Sequence, residues 1–257
     1  MKKKILVIVS VAVSIFIAIF LYNAYSVPVL MYHSIARGAE NSRLIVSPES
    51  FERQMRFLKK GNYHILSMDE YVALLKENKK PDKRSVVITF DDGFVDNYTD
   101  AYPVLKKYKM PATISVVPEW VGKQDMMRWE QIKELNDDEL IEIVSHGLSH
   151  CPLDTLSKEF VIKELSESKR ILEKKLDTVI DYFCYPCGNF NPFVKEMAKL
   201  SGYKAALATH PDAKISLNDT YAIRRIRISQ SSDNMLVFWV QVSGYYTFFK
   251  DRRIKRK

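Results

Sequence analysis

Short apolar runs alternate with amphipathic stretches along most of this chain. Residues 27–32, 63–66, 86–90, 112–117, 140–144, 179–185, 204–207 and 221–228 are short, apolar and rich in β-branched or aromatic side chains, and read as strands. Helical spacing fills the gaps. Ser47 and Pro48 suit a helix start, Phe51, Met55, Phe57 and Leu58 supply its apolar stripe, and Gly61 closes it. Further helices are predicted over 68–76, 97–108, 129–135, 157–176 and 192–200, with Pro103 either kinking the third or marking its true start. Alternating strands and helices predict a mostly parallel sheet, open or closed into a barrel, whose function gathers where strands pass into the following loops.

Residues 5–22 break the pattern, being apolar without a charge and preceded by Lys2, Lys3 and Lys4. As a helix this run reaches roughly 27 Å, close to the hydrocarbon thickness of a bilayer. Leading lysines favour a cytoplasmic N-terminus and a domain facing outward. The run is longer than an ordinary signal core, and no small-x-small cleavage site follows, so an uncleaved anchor is favoured over a removed signal peptide. The expected organisation is an anchor over 1–25, one domain over 26–235, and an aromatic and basic tail over 236–257. The expected location is the cell membrane, single-pass with the domain outside, or secreted and bound to the cell surface.

The chain has 257 residues, 47% hydrophobic and 27% charged, which suits one globular domain with a full core. Net charge is +8, part of it in residues 250–257, which read as a solvated, frayed end. An exported basic protein is drawn to anionic surfaces. Nucleic acid as partner is disfavoured by export and by the lack of a recognition motif. Cys151, Cys184 and Cys187 are too few and too odd for a disulfide framework. Cys184 and Cys187 have redox spacing without a clear helix start after them, and read as structural or incidental thiols.

The chemistry is concentrated at strand ends. Val86-Val-Ile-Thr-Phe90 stops at Asp91-Asp92-Gly93, and the run 140–144 stops just before His146-Gly-Leu-Ser-His150. Two imidazoles four residues apart can aim at one point, and with a carboxylate they make the ligand set of a hydrolytic zinc-type site. Adjacent strand residues face opposite ways, so Asp91 and Asp92 can take different tasks. His33 and the Tyr185-Pro186 loop also fall at strand ends. His210 competes with His33 as a proton donor, and His64 reads as structural. The aromatic run 245–249 packs on the barrel, meets the membrane interface or stacks on sugar, with packing the default.

Thr89-Phe-Asp-Asp-Gly93, His146-Gly-Leu-Ser-His150 and Phe183-Cys-Tyr-Pro-Cys-Gly188 resemble the three motifs of the polysaccharide deacetylases, the NodB-homology family of carbohydrate esterases. Val27-Pro-Val-Leu-Met-Tyr-His-Ser34 resembles the opening of its circularly permuted poly-N-acetylglucosamine deacetylase branch. The resemblance covers about residues 27–230. It implies a distorted (β/α)7 barrel that removes N-acetyl groups from a glycan; the transmembrane helix expected from residues 5–22 lies outside the resemblance. It implies Asp92, His146 and His150 as ligands of a divalent metal, zinc first with Co2+ or Ni2+ as alternatives. It implies Asp91 as general base, His33 as general acid, Trp129, Tyr185 and Pro186 along the substrate groove, and the Cys187 backbone N–H facing the oxyanion.

Two positions depart from the family. Gly147 stands where Ser or Thr is usual, removing a hydroxyl that braces the loop. No Arg precedes the third motif to orient the base, leaving Arg128 or Arg225 as substitutes. The favoured substrate is poly-β-1,6-N-acetylglucosamine of a biofilm matrix, with peptidoglycan strands, chitin oligomers and acetylated xylan as alternatives, and with polysaccharide synthesis or export proteins as further partners. A non-catalytic glycan-binding barrel is the rival reading. A glycosidase is a poorer one, because its two carboxylates stand roughly 5–9.5 Å apart across the sugar.

Overall fold

The structure is a computed structural model that describes residues 2–38, 44–81, 84–209, 216 and 218–254. Seven parallel staves curl around one core, in the order β7 (Ala205–Leu207), β6 (Tyr182–Cys184), β5 (Ile141–Ser145), β4 (Ala112–Val116), β3 (Ser85–Phe90), β1 (Val29–Tyr32) and β8 (Ile226–Arg227). A two-residue strand, β2 (His64–Ile65), pairs with the start of β3. The edges meet through the segment 220–228. Ile223 exchanges backbone bonds with β7 through Ala206 and Ala208, and Ile226 sits beside Leu30 of β1. This is the distorted (β/α)7 barrel that the motifs imply. Each residue of β3 is buried, because helices cover the outside while side chains fill the inside.

Local chemistry sets the helix boundaries. Ser47 accepts from Ser50 N–H to start α2 (Pro48–Lys60), Ser67 and Glu70 cap α3 (Met68–Lys76) reciprocally, and Asn191 caps α7 (Pro192–Leu200). The stretch 97–108 is not one regular helix. Residues Asn97–Ala101 form a π-helical turn, and α4 (Tyr102–Tyr108) begins only at Pro103's neighbour, because proline fits a first turn and not an interior. The remaining helices of the barrel are α5 (Trp129–Asn136) and α6 (Lys158–Leu176).

Tyr32, Phe51 and Phe90 pack ring against ring at 5.2–5.7 Å, locking α2 onto β1 and β3. Tyr32 also donates to Gln54 Oε1, and Gln54 Nε2 donates to Ser232 O.

At the N-terminus α1 (Lys2–Ala24) is one helix, and its window Val7–Ala24 is long and apolar enough to cross a membrane. It leads into β1 from the strand's amino end. The stretch after residue 235 is not a free tail. In α8 (Met235–Val242) Phe238 and Val242 are buried, and Phe238 meets Phe57 edge-on, so the packed body continues past residue 235. Then follows α9 (Tyr246–Ile254), whose Phe248 meets Phe20 of α1; of the segment 250–257 expected to fray, residues 255–257 lie outside the described residues.

Phe51→Ala removes the ring shared by Tyr32 and Phe90, and about 3–5 kcal/mol of unfolding free energy should go with it. Urea titration of both proteins checks this; a loss under 1 kcal/mol contradicts the packing described.

Candidate active site

The first carboxylate continues the sheet. Asp91 N–H donates to Tyr32 O, which keeps its side chain in the barrel mouth. There Arg225 grips it with two parallel bonds, Nη1 to Oδ1 at 2.6 Å and Nη2 to Oδ2 at 2.8 Å. Ser115 Oγ adds a bond to Oδ1 at 3.0 Å. Arg225 lies on the closing segment, between Ile223 on β7 and Ile226 on β1, and also reaches Thr89 Oγ1 and Ala208 O. Burial opposes the Asp91 charge, but the guanidinium outweighs it and holds the carboxyl well below the usual carboxylate range.

Asp92 leaves the sheet. It has φ 74° and Gly93 φ 78°, so two left-handed residues in succession swing the second carboxylate away from the first. Its Oδ1 is buried and accepts no hydrogen bond, yet His146 Nε2 stands 3.4 Å away and His150 Nε2 3.3 Å. His146 follows β5, and its Nδ1 lies 2.8 Å from Cys184 O. A carbonyl only accepts, so Nδ1 carries a hydrogen and Nε2 is the atom turned toward Asp92; burial opposes a charge on this ring, but Cys184 and the two aspartates outweigh it and raise its pKa. His150, left-handed at φ 65°, is backed by the Trp120 ring at 4.7 Å.

Two imidazole nitrogens thus converge on a buried carboxylate oxygen that has no hydrogen-bond partner of its own, a donor set suited to a cation. Ligands about 2.0–2.1 Å from a tetrahedral ion lie about 3.3–3.4 Å from one another, which is the separation seen. The residues therefore fit a divalent metal. Asp91, His146 and Cys184 also lie close enough to form a ligand group. That set is a poorer fit, since Arg225 and Ser115 already satisfy Asp91 and the Cys184 thiol lies 3.5 Å from it.

His33 ends β1 and brings Nε2 to 3.9 Å from Asp91 Oδ2. Asn97, in the π-helical turn, holds the His33 carbonyl at 2.7 Å. Burial pushes the imidazole pKa down, against the pull of Asp91 and Asp92. His33, Asp91, Asp92, His146 and His150 thus converge on one rim.

The third motif lies against the imidazole loop, Pro186 Cγ standing 3.2 Å from where a Cβ of Gly147 would be. Tyr185 is buried, stacked on Phe190 and bonded to Tyr221 O, so it shapes the wall from behind. Pro186 is buried, while Cys187 is exposed at φ 58°. Trp129 starts α5, packs against the core and carries the Lys175 ammonium over its ring. The aromatic that touches a site imidazole is Trp120, which the sequence reading passed over although it too follows a strand end. Of the two candidate arginines, Arg225 is the one on Asp91. His210 lies outside the described residues.

Comparison with known proteins gives a concordant result. The polysaccharide deacetylase family model matches residues 78–206. The chain is 37% identical over 202 residues to Bacillus subtilis YxkH, itself only provisionally assigned as a polysaccharide deacetylase, covering 79% of this chain and 71% of that one. It is 32% identical to the poly-β-1,6-N-acetyl-D-glucosamine N-deacetylase of Staphylococcus aureus, covering 75% of this chain and 70% of that one. Among solved structures, the deacetylase PplD of Streptococcus pyogenes, in complex with acetate, superposes with a TM-score of 0.74 at 30% identity, over 82% of this chain and 97% of that one. This chain belongs to the polysaccharide deacetylase family, whose members are N-deacetylating hydrolases.

Arg225→Ala strands a buried carboxylate and should cost about 3–5 kcal/mol of stability. Arg225→Lys should recover only part, because an ammonium cannot make the paired bonds of a guanidinium. Denaturant titration of the three proteins checks both expectations; full recovery with lysine contradicts the bidentate reading.

Proposed function

We propose that this member of the polysaccharide deacetylase family hydrolyses N-acetyl groups from an extracellular N-acetylglucosamine polymer, with poly-β-1,6-N-acetylglucosamine as the favoured substrate. The observation that carries the chemistry is the orphaned Asp92 oxygen faced by two imidazoles, beside a carboxylate that Arg225 keeps ionised. Likeness to the Staphylococcus aureus enzyme supports the substrate.

In this reading Asp92, His146 and His150 hold the metal, zinc before Co2+ or Ni2+ for a site of two nitrogens and one oxygen. A divalent ion there supplies Lewis acidity, polarising the acetamide carbonyl and lowering the pKa of water. Asp91 accepts the proton of the water that attacks the carbonyl carbon, and Arg225 fixes the carboxylate in its ionised form and orientation. As the C–N bond breaks, the amine nitrogen takes a proton from His33. His33 Nε2 stands 3.9 Å from Asp91 Oδ2, beyond a direct hydrogen bond and within the span of one bridging water, through which the proton taken from the attacking water is passed on. Its lowered pKa makes the transient imidazolium a stronger acid, which favours delivery to the amine. The Cys187 backbone N–H is assigned to the developing oxyanion.

The proposal extends to location, for which α1 is the support. Its exposed apolar side chains and the lysines ahead of it support a membrane anchor with the barrel outside. The anchor occupies 1–25 and the deacetylase domain begins at 26, with α8 and α9 belonging to the same packed body.

Acetate release from β-1,6-linked N-acetylglucosamine oligomers tests the proposal. Wild-type protein should release acetate, a chelator should stop it and added Zn2+ or Co2+ restore it. Asp91→Asn and His33→Ala should each lower kcat by about 10²–10⁴-fold. Release from β-1,4 oligomers alone would move the substrate to peptidoglycan or chitin fragments. No release from any such oligomer by metal-loaded protein contradicts the proposal.

A further inference from the structure

The loop that carries both imidazoles is held from beneath by a carboxylate with no assigned role. Past His146, whose N–H is taken by Val116 O, the chain turns through Gly147, Leu148 and Ser149 to His150. The N–H groups of Leu148 and Ser149 point at Glu164 Oε2, at 2.8 and 3.0 Å. Ser149 Oγ reaches Glu164 Oε1 at 2.5 Å. Glu164 projects from α6 and is only 7% exposed. No Lys or Arg pairs with it among the described residues, so these three donors are what satisfies its buried charge. Bonds of this kind to an ionised acceptor are short and strong, and leaving the amides unpaired costs about 1–3 kcal/mol for each buried group.

Gly147 makes the approach possible. It has φ +75°, and a Cβ there would stand 3.1 Å from Glu164 Oε2 and 3.2 Å from Pro186 Cγ. The missing hydroxyl at 147 and the carboxylate at 164 are thus one arrangement: removing the side chain at 147 opens the space that the carboxylate fills.

We infer that Glu164 is the positioning residue of the cation site, setting the distance between His146 and His150 through the loop amides in place of a hydroxyl at 147. It touches neither reacting atoms nor the proposed ion. The inference rests on Asp92, His146 and His150 being the ligands, so its test must separate the two ideas.

Zn2+ affinity, measured on the full chain in detergent by competition with a chromogenic chelator, makes that separation. Glu164→Ala should weaken binding about 10–100-fold, the range typical when a ligand loses its support. Glu164→Gln, which keeps one acceptor oxygen, should lose less. Asp92→Ala should lose binding altogether. Melting of the metal-free proteins, followed in parallel, identifies a variant that does not fold; if Glu164→Ala fails to fold, Glu164→Gln carries the test with the same sign. Wild-type affinity in the folded Glu164 variant overturns the inference. If Asp92→Ala also binds as wild type does, the ligand assignment itself is wrong; if only Asp92→Ala loses the metal, the brace alone is.

Discussion

One backbone turn at the end of β3 governs the chemistry of this barrel. Two carboxylates adjacent in sequence must serve unlike neighbours, a guanidinium for Asp91 and a pair of imidazoles for Asp92. In an ordinary extended continuation the second side chain would have no route to the β5 loop. The left-handed conformation of Asp92, continued by Gly93, supplies that route. For a residue with a Cβ this conformation costs on the order of 1–2 kcal/mol. His150 adopts it as well, so two of the three residues that converge on one point are left-handed without being glycine. Strain of this kind persists where surrounding contacts over-determine it. Here those contacts include the sheet bond at Asp91, the Cys184 carbonyl on His146 and the Trp120 ring on His150.

The barrel makes those contacts available by bringing distant segments together. Arg225 is 134 residues from Asp91 in sequence and reaches it only because residues 220–228 bridge β7 to β1. Closing the sheet and orienting Asp91 are therefore one structural event. The same geometry relates the rim to α1, which joins the amino end of β1 while His33 follows its carboxyl end. The helix enters on one side of the barrel and the acid and imidazole side chains gather on the other.

Much of this was legible in the sequence. Apolar runs that stop abruptly at Asp91, His146 and His33 mark strand ends, because a buried strand tolerates acids and imidazoles only where it leaves the core. Ser47, with Pro48 after it, marked a helix start for an equally local reason. What failed to show was long-range. Nothing local distinguishes Arg225 from Arg128 as the partner of Asp91. Trp120 and Trp129 both follow β4, and only the turn between them decides which meets His150. The aromatic and basic tail expected over 236–257 did not show its packed start, because the burial of Phe238 depends on Phe57, a ring far away in sequence. The π-helical turn at Asn97 was hidden for a related reason, since helical spacing does not reveal an extra residue in a turn.

The central claim is that Asp92, and not Asp91, shares a cation with both imidazoles. Crystals of zinc-loaded protein, with anomalous differences collected on either side of the zinc edge, address it most directly. The account predicts a single peak bounded by Asp92 Oδ1, His146 Nε2 and His150 Nε2, with Arg225 still paired to Asp91. A peak among Asp91, His146 and Cys184, or none near these side chains, contradicts it.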